Sequence, residues 1–149
     1  MGLMILHNCR TIQLYRKAGG SNAHPHTIKW KICSNTLVDE CDFQWLNQYR
    51  WLMHWDRKVK DYRVVRSEKF PNGARVYVYM AREILGLPCG VGNSGYQSDH
   101  KNHDIRNHKR DNLRVATPSQ NTANTRKHGV CSRFKGVLHH RSGFMTQIR

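Results

Sequence analysis

The residues of this sequence best suited to chemistry are a histidine and two oxygen-bearing side chains. Asp99 directly precedes His100, and Asn121 follows in a segment with helix-start signals. Carboxylate and amide oxygens suit a hard ion such as Mg²⁺ or Mn²⁺, and a neighbouring imidazole can take a proton from water at neutral pH. These residues predict a site for one divalent metal, with Asp99 and Asn121 as ligands and His100 as general base. Taken singly, an Asp-His pair is more often a surface turn and an early-helix Asn is usually solvated.

The elements that must position these residues are a polar loop, a short strand at 113–116 and a helix. Thr117 suits the N-cap of this helix, Pro118 suits its first position, and Gln120 completes a Thr-x-x-Gln capping box. The box predicts that Asn121 lies in the first turn of the helix or just past it.

The segment 99–121 resembles the HNH endonucleases of phages and mobile introns. The residues that match the family name are His100, Asn112 and Asn121, at spacings of 12 and 9 residues. The resemblance implies a ββα-metal core at 97–128 and a homing-type enzyme that cleaves DNA phosphodiester bonds. It implies that His100 is the general base, that Asp99 and Asn121 bind the metal, and that Asn112 is a structural residue bracing the loop and the histidine.

Two other segments resemble parts of the same proteins. Residues 38–51 and 79–88 are similar to the region that precedes the nuclease motif. Residues 132–148 look like the start of an Apetala-two-type DNA-binding domain, without its third strand and helix.

The charge balance points to a polyanionic partner. The chain has 25 Lys and Arg against 10 Asp and Glu, a net charge of +15. From residue 100 onward there are 11 basic and 2 acidic residues, so basic density is highest where the predicted chemistry lies. Double-stranded DNA is the expected partner, with an acidic membrane surface or mere solubility as plainer alternatives.

Several basic and polar side chains near the motif are candidates for contacts with DNA. Those that flank the motif helix are Arg114, Asn124, Arg126 and Lys127, and Lys135 lies in the tail. A solvated helix face is an equally weighted alternative for them.

Five cysteines without a Cys-x-x-Cys pair argue against a zinc knuckle and against a disulfide-stapled secreted domain. No stretch is apolar enough to span a membrane or to form the core of a signal peptide. We therefore expect reduced thiols and a cytoplasmic protein. The oligomeric state is not predicted.

The expected fold class is α+β, with a small N-terminal α/β module, the nuclease core and a C-terminal β-hairpin. The predicted segments are an irregular extension at 1–25, a strand-helix-hairpin module at 26–88, the HNH motif at 89–129 and a partial Apetala-two-like hairpin at 130–149.

Local patterns predict the elements of these segments. Alternation predicts a strand at 26–33, and Asp39 or Asp42 could cap a helix after it. Asn72-Gly73 predicts a hairpin turn between two strands. The predicted ranges are 59–67 and 74–80 for that hairpin, 80–87 for a short helix, and 134–139 with 144–148 for the tail hairpin.

Two other functions are compatible with the same residues. The chain could be a non-catalytic DNA-binding protein with a decayed nuclease site, which would shift DNA without nicking it. It could also be an RNA-directed nuclease or a secreted toxin, and the lack of an export signal weakens the toxin.

Overall fold

A computed structural model describes residues 9–18, 29–88, 95–124, 137–140 and 143–146. They form a mixed α+β protein that is rich in sheet and has short helices. The elements are β1 (Cys9–Ala18), β2 (Lys29–Asp39), α1 (Glu40–Leu46), β3 (Trp51–Asp56), β4 (Asp61–Lys69), β5 (Arg75–Tyr79), α2 (Met80–Ile84), β6 (Gln97–His100), β7 (Leu113–Ala116), α3 (Pro118–Ala123), β8 (Val137–His140) and β9 (Gly143–Thr146).

A five-stranded sheet in the order β2-β1-β3-β4-β5 forms the larger part of the fold. β1 pairs antiparallel with β2 and parallel with β3, whereas β3, β4 and β5 form an antiparallel meander. The expectation that 1–25 is irregular is therefore wrong for Cys9–Ala18. Ile12 and Leu14 alternate with more exposed neighbours and are buried, and burial of these two side chains gives β1 a core face.

The hairpin predicted from Asn72-Gly73 is confirmed as β4 and β5. Gly73 has φ +82°, a left-handed conformation that glycine adopts without a steric penalty. Strand β3 was not predicted, whereas a helix after the strand predicted at 26–33 is present as α1, which ends at Leu46.

The core packs the sheet against both α1 and α2. Its fully buried side chains include Leu14, Leu46, Trp51 and Met80, and Leu113 of β7 joins the same cluster. The β6–β7 unit is therefore packed on the main core. The tail strands β8 and β9 pair as the expected hairpin, with bounds shifted from the prediction. Within the described ranges no helix is long and apolar enough to cross a membrane.

Candidate active-site cleft

Strands β6 and β7 and helix α3 bring the predicted site residues together. Asp99 and His100 lie on β6, where Asp99 pairs with Arg114 and His100 with Leu113 of β7. The capping box predicted for α3 is confirmed: Thr117 Oγ1 accepts from the backbone N–H of Gln120, whose Oε1 accepts from the N–H of Thr117. This box sets where the helix begins, and it thereby sets the position of Asn121 beside β6.

Asp99 is a buried carboxylate held by two partners. Arg114 donates from Nη2 at 2.7 Å and from Nε at 2.8 Å to Oδ2. Asn124 Nδ2 lies 2.9 and 3.0 Å from the two carboxylate oxygens and 3.1 Å from the carbonyl oxygen of His100. Arg114 and Asn124 were predicted to contact DNA, and their observed contacts join β6 to β7 and α3.

His100 has an imidazole poised to remain neutral. Its Nε2 atom is buried and, within the described part of the chain, has no hydrogen-bond partner. Burial and then the positive charge of Arg63 lower the pKa of His100 to about 4, against the opposing effect of Asp99, Asp104 and Asp61. A neutral ring nitrogen without a partner is chemically able to accept a proton.

Asn112 fastens the loop between β6 and β7. Its side-chain Oδ1 accepts from the backbone N–H of Asn102 at 3.1 Å, and its Nδ2 donates to the carbonyl of Asn107 at 2.7 Å. The backbone carbonyl of Asn112 accepts from the backbone N–H of Lys101, the residue after His100, at 2.9 Å. These bonds match the bracing role that the sequence resemblance implied.

The same loop docks on the edge of the large sheet. Leu37 of β2 forms a parallel bridge with Asn107, and Thr36 Oγ1 donates to the carbonyl of Arg106 at 2.7 Å. The Thr36 hydroxyl carries one proton, so His108 Nδ1, also 2.7 Å away, is the donor in their hydrogen bond. His108 is thus a core histidine whose Nδ1 has a hydrogen-bond partner. Its ring lies edge-on to the ring of His100, with 4.9 Å between the ring centroids.

A second carboxylate secures this docking. Asp42 of α1 is buried and accepts from Nε and Nη2 of Arg110, each at 2.7 Å. Asp39, one of the two residues predicted to cap α1, occupies the N-cap position without a capping hydrogen bond from its side chain, which accepts from the backbone N–H of Arg110 at 2.7 Å.

The cleft that contains the predicted site has a volume of about 250 Å³. Asp99, His100, Asn121 and Asn124 line it, together with Lys60, Asp61 and Arg63 from the β3–β4 hairpin. Sequence reasoning missed the hairpin residues. Their hairpin precedes the motif by some thirty residues, and no local spacing relates the two.

Asp99 and Asn121 fit a hard cation as a donor set. A carboxylate offers about four acceptor positions. Arg114 bonds to Oδ2 and Asn124 Nδ2 lies 2.9 Å from Oδ1, so one acceptor position remains on Oδ1. Asn121 donates through its amide nitrogen to Gln97 Oε1, and its amide oxygen is an atom of the kind that hard cations bind. Mg²⁺ commonly takes one or two protein oxygens and completes its shell with water and phosphate. Among the described residues no group of three or more His, Cys, Asp or Glu could hold a metal.

Arg126, Lys127 and Lys135, the remaining predicted DNA contacts, lie outside the described residues.

Comparisons of the chain with protein-family models, curated proteins and solved structures find no match.

Proposed function

We propose that this protein is a metal-dependent DNA endonuclease of the HNH type, in which β6, β7 and α3 form the ββα-metal core. The observation that carries the proposal is the cleft in which a neutral His100 imidazole lies with the Asp99 carboxylate and the Asn121 amide, its Nε2 having no hydrogen-bond partner among the described residues. The sequence resemblance extends the proposal to a homing-type nuclease of a phage or mobile element.

Asp99 and Asn121 would hold one Mg²⁺ or Mn²⁺ ion. When bound, that ion supplies stabilisation of negative charge on the reacting phosphate and the departing 3′ oxygen. Arg114 and Asn124 orient the Asp99 carboxylate, and the capping box of α3 positions Asn121. The protein thus holds its oxygen donors in place through contacts that do not depend on the ion.

His100 acts as the general base that removes a proton from the attacking water. Its lowered pKa keeps the imidazole uncharged at neutral pH, so the ring is available to accept a proton. Asn112 holds the adjoining loop, which keeps His100 in register with β7.

Double-stranded DNA is the proposed substrate because of the chain's net charge of +15 and the cations that line the cleft. Affinity of this kind depends on neutralising phosphates and releasing counterions, so it should fall as salt rises from about 50 to 200 mM.

Plasmid cleavage tests the proposal. The purified protein should nick or cut supercoiled DNA with Mg²⁺ or Mn²⁺ and stop when a chelator is added. Asp99→Ala and Asn121→Ala should require more metal and be partly rescued by excess Mn²⁺, whereas His100→Ala should not be rescued. A protein that cuts equally well in chelator would contradict the proposed metal site.

One observation favours a second function, a DNA-binding protein that does not cut. Asp99 is already engaged by a guanidinium and an amide, an arrangement that is stable without any metal. Such a protein would retard DNA in a gel at all metal concentrations and leave supercoiled plasmid intact.

A further inference from the structure

The β3–β4 hairpin brings two cations from the large sheet to the candidate active-site cleft. Lys60 lies at the end of the turn and Arg63 lies on β4, and both line the cleft together with Asp99, His100 and Asn121. The hairpin is separate in sequence and in sheet from the predicted nuclease motif. The hairpin therefore lines one part of the cleft with residues that do not belong to the sequence motif.

Neither cation is neutralised by a carboxylate within the described residues. Six other basic side chains are paired with Asp or Glu there, namely Arg10, Arg66, Arg106, Lys109, Arg110 and Arg114. Asp61 also lines the cleft, and its Oδ1 accepts from the backbone N–H of Tyr62 at 2.7 Å. Arg63 is only partly exposed, and a partly buried guanidinium without a counterion is stabilised by an anionic ligand.

The backbone at Lys60 supports a role for its side chain. Asp56 Oδ1 accepts from the N–H of Lys58 at 2.9 Å, and the carbonyl of Asp56 accepts from the N–H of Lys60 at 2.8 Å. Lys60 then adopts φ +55°, a left-handed conformation that favours Gly or Asn. A lysine at this position costs stability relative to those residues, and such a cost is often retained where the side chain has a function.

We propose that Lys60 and Arg63 form a phosphate clamp that holds the DNA backbone beside the phosphate to be cleaved, in the same cleft as the proposed metal ligands Asp99 and Asn121. They are positioning residues, because they would fix the strand and not take part in the bond changes. The inference rests on the proposed function for its substrate, and it adds a specific anchor on the large sheet.

Binding without metal tests the clamp independently of cutting. The affinity of a short DNA duplex would be measured by fluorescence anisotropy in chelator over a range of salt, for Arg63→Gln, Lys60→Asn and wild type. Each lost phosphate contact should reduce the slope of log affinity against log salt by about 0.9. Lys60→Asn removes the charge and suits the left-handed backbone, so a folding defect would not explain its effect.

Lys58→Gln is the matched control, because Lys58 is exposed in the same turn and does not line the cleft. It removes one positive charge from the hairpin and should leave the slope at the wild-type value. An equal loss of slope in Lys58→Gln would overturn the clamp and show only a general effect of charge.

Cleavage at saturating DNA gives the second measurement. Arg63→Gln should lower kcat roughly 10- to 100-fold, since a misplaced substrate reacts slowly even when bound. Arg63→Lys should recover part of kcat because it restores a single charge without the planar fork. If wild type binds DNA but does not cut, the proposed function fails. The clamp is then tested only by the slope of log affinity against log salt. If wild type cuts and both variants keep its slope and kcat, the clamp is wrong.

Discussion

Two buried aspartates, each bound by an arginine at two nitrogens, have nearly the same local chemistry in different parts of the molecule. Asp42 pairs with Arg110 and Asp99 pairs with Arg114, with N–O distances of 2.7 to 2.8 Å. The carboxylate side chains are 2% and 7% exposed, and the arginines are 53% and 41% exposed.

The surroundings of the two pairs differ. The Asp42 pair joins α1 to the β6–β7 loop, near a His108 whose Nδ1 is satisfied by Thr36. The Asp99 pair borders an open cleft, beside a His100 whose Nε2 lacks a partner among the described residues. A buried Asp–Arg pair therefore does not by itself distinguish a structural contact from a candidate active site. The adjoining space and the unsatisfied ring nitrogen make that distinction.

The largest expected effect is the loss of cleavage activity when His100 is replaced. His100→Ala should reduce cleavage by about 10²- to 10⁴-fold through loss of the general base, with metal and DNA affinity retained. His54→Ala, on β3 outside the cleft, is the control and should cut normally. The measurement is single-turnover cleavage of a labelled duplex, and a wild-type rate in His100→Ala would remove the basis for the base assignment.

The two arginines should differ in their effect on stability. Arg110→Ala leaves the buried Asp42 carboxylate with Trp45 Nε1, at 3.2 Å, as its one side-chain partner among the described residues, and should cost about 3–5 kcal/mol in the free energy of unfolding. Arg114→Ala should cost less, about 1–3 kcal/mol, because Asn124 still donates to Asp99.

Urea denaturation measures both costs. Arg106→Gln is the matched control: its ion pair with Asp104 is exposed and should contribute at most about 1 kcal/mol. Equal costs for Arg110→Ala and Arg106→Gln would contradict a structural role for the Asp42 pair.

Acid should destabilise the protein through both histidines. Burial lowers the pKa of His108 well below 6.5, and burial with Arg63 lowers that of His100 to about 4. The unfolded chain therefore binds more protons than the folded protein below pH 6.5. Stability should be complete above about that pH and fall below it, by up to roughly 1.4 kcal/mol per pH unit for each histidine.

The measurement is the urea midpoint between pH 7.5 and 5. In His108→Gln the urea midpoint should change less with pH, because only His100 then takes up a proton on unfolding. A midpoint in the wild type that does not change over this range would be the contrary result.

The smallest expected effect concerns the cap of α3. Thr117→Ala removes the hydroxyl that accepts from Gln120 and should cost about 1 kcal/mol of unfolding free energy. Thr117→Ser keeps the hydroxyl and should match wild type. Without the cap, amide hydrogen exchange should rise in α3, which carries Asn121 and has Asn124 as its C-cap. Unchanged exchange in Thr117→Ala would show that tertiary contacts alone fix the helix.

Elements defined by short-range chemistry were predictable from the sequence. The Thr117 capping box depends on residues three apart, and the Gly73 turn depends on one backbone conformation. Adjacent patterns also predicted the strand at 113–116 and the α+β class. The closeness of Asp99, His100 and Asn121 followed from the short β6–loop–β7–α3 segment that carries all three.

Contacts between distant segments were decided only by the tertiary structure. Strand β1 pairs with β3 and buries Ile12 and Leu14, and no local turn motif in the sequence predicts this pairing. Arg114 and Asn124 were predicted to contact DNA from their position beside the motif helix, and only the tertiary structure shows that both also bind the buried Asp99 carboxylate. The β6–β7 loop docks on Thr36 and Leu37 of β2 and on Asp42 of α1. This docking places the nuclease motif beside the large sheet, so that Lys60 and Arg63 line the same cleft as the motif residues. Burial and hydrogen bonding across about seventy residues of chain create that placement.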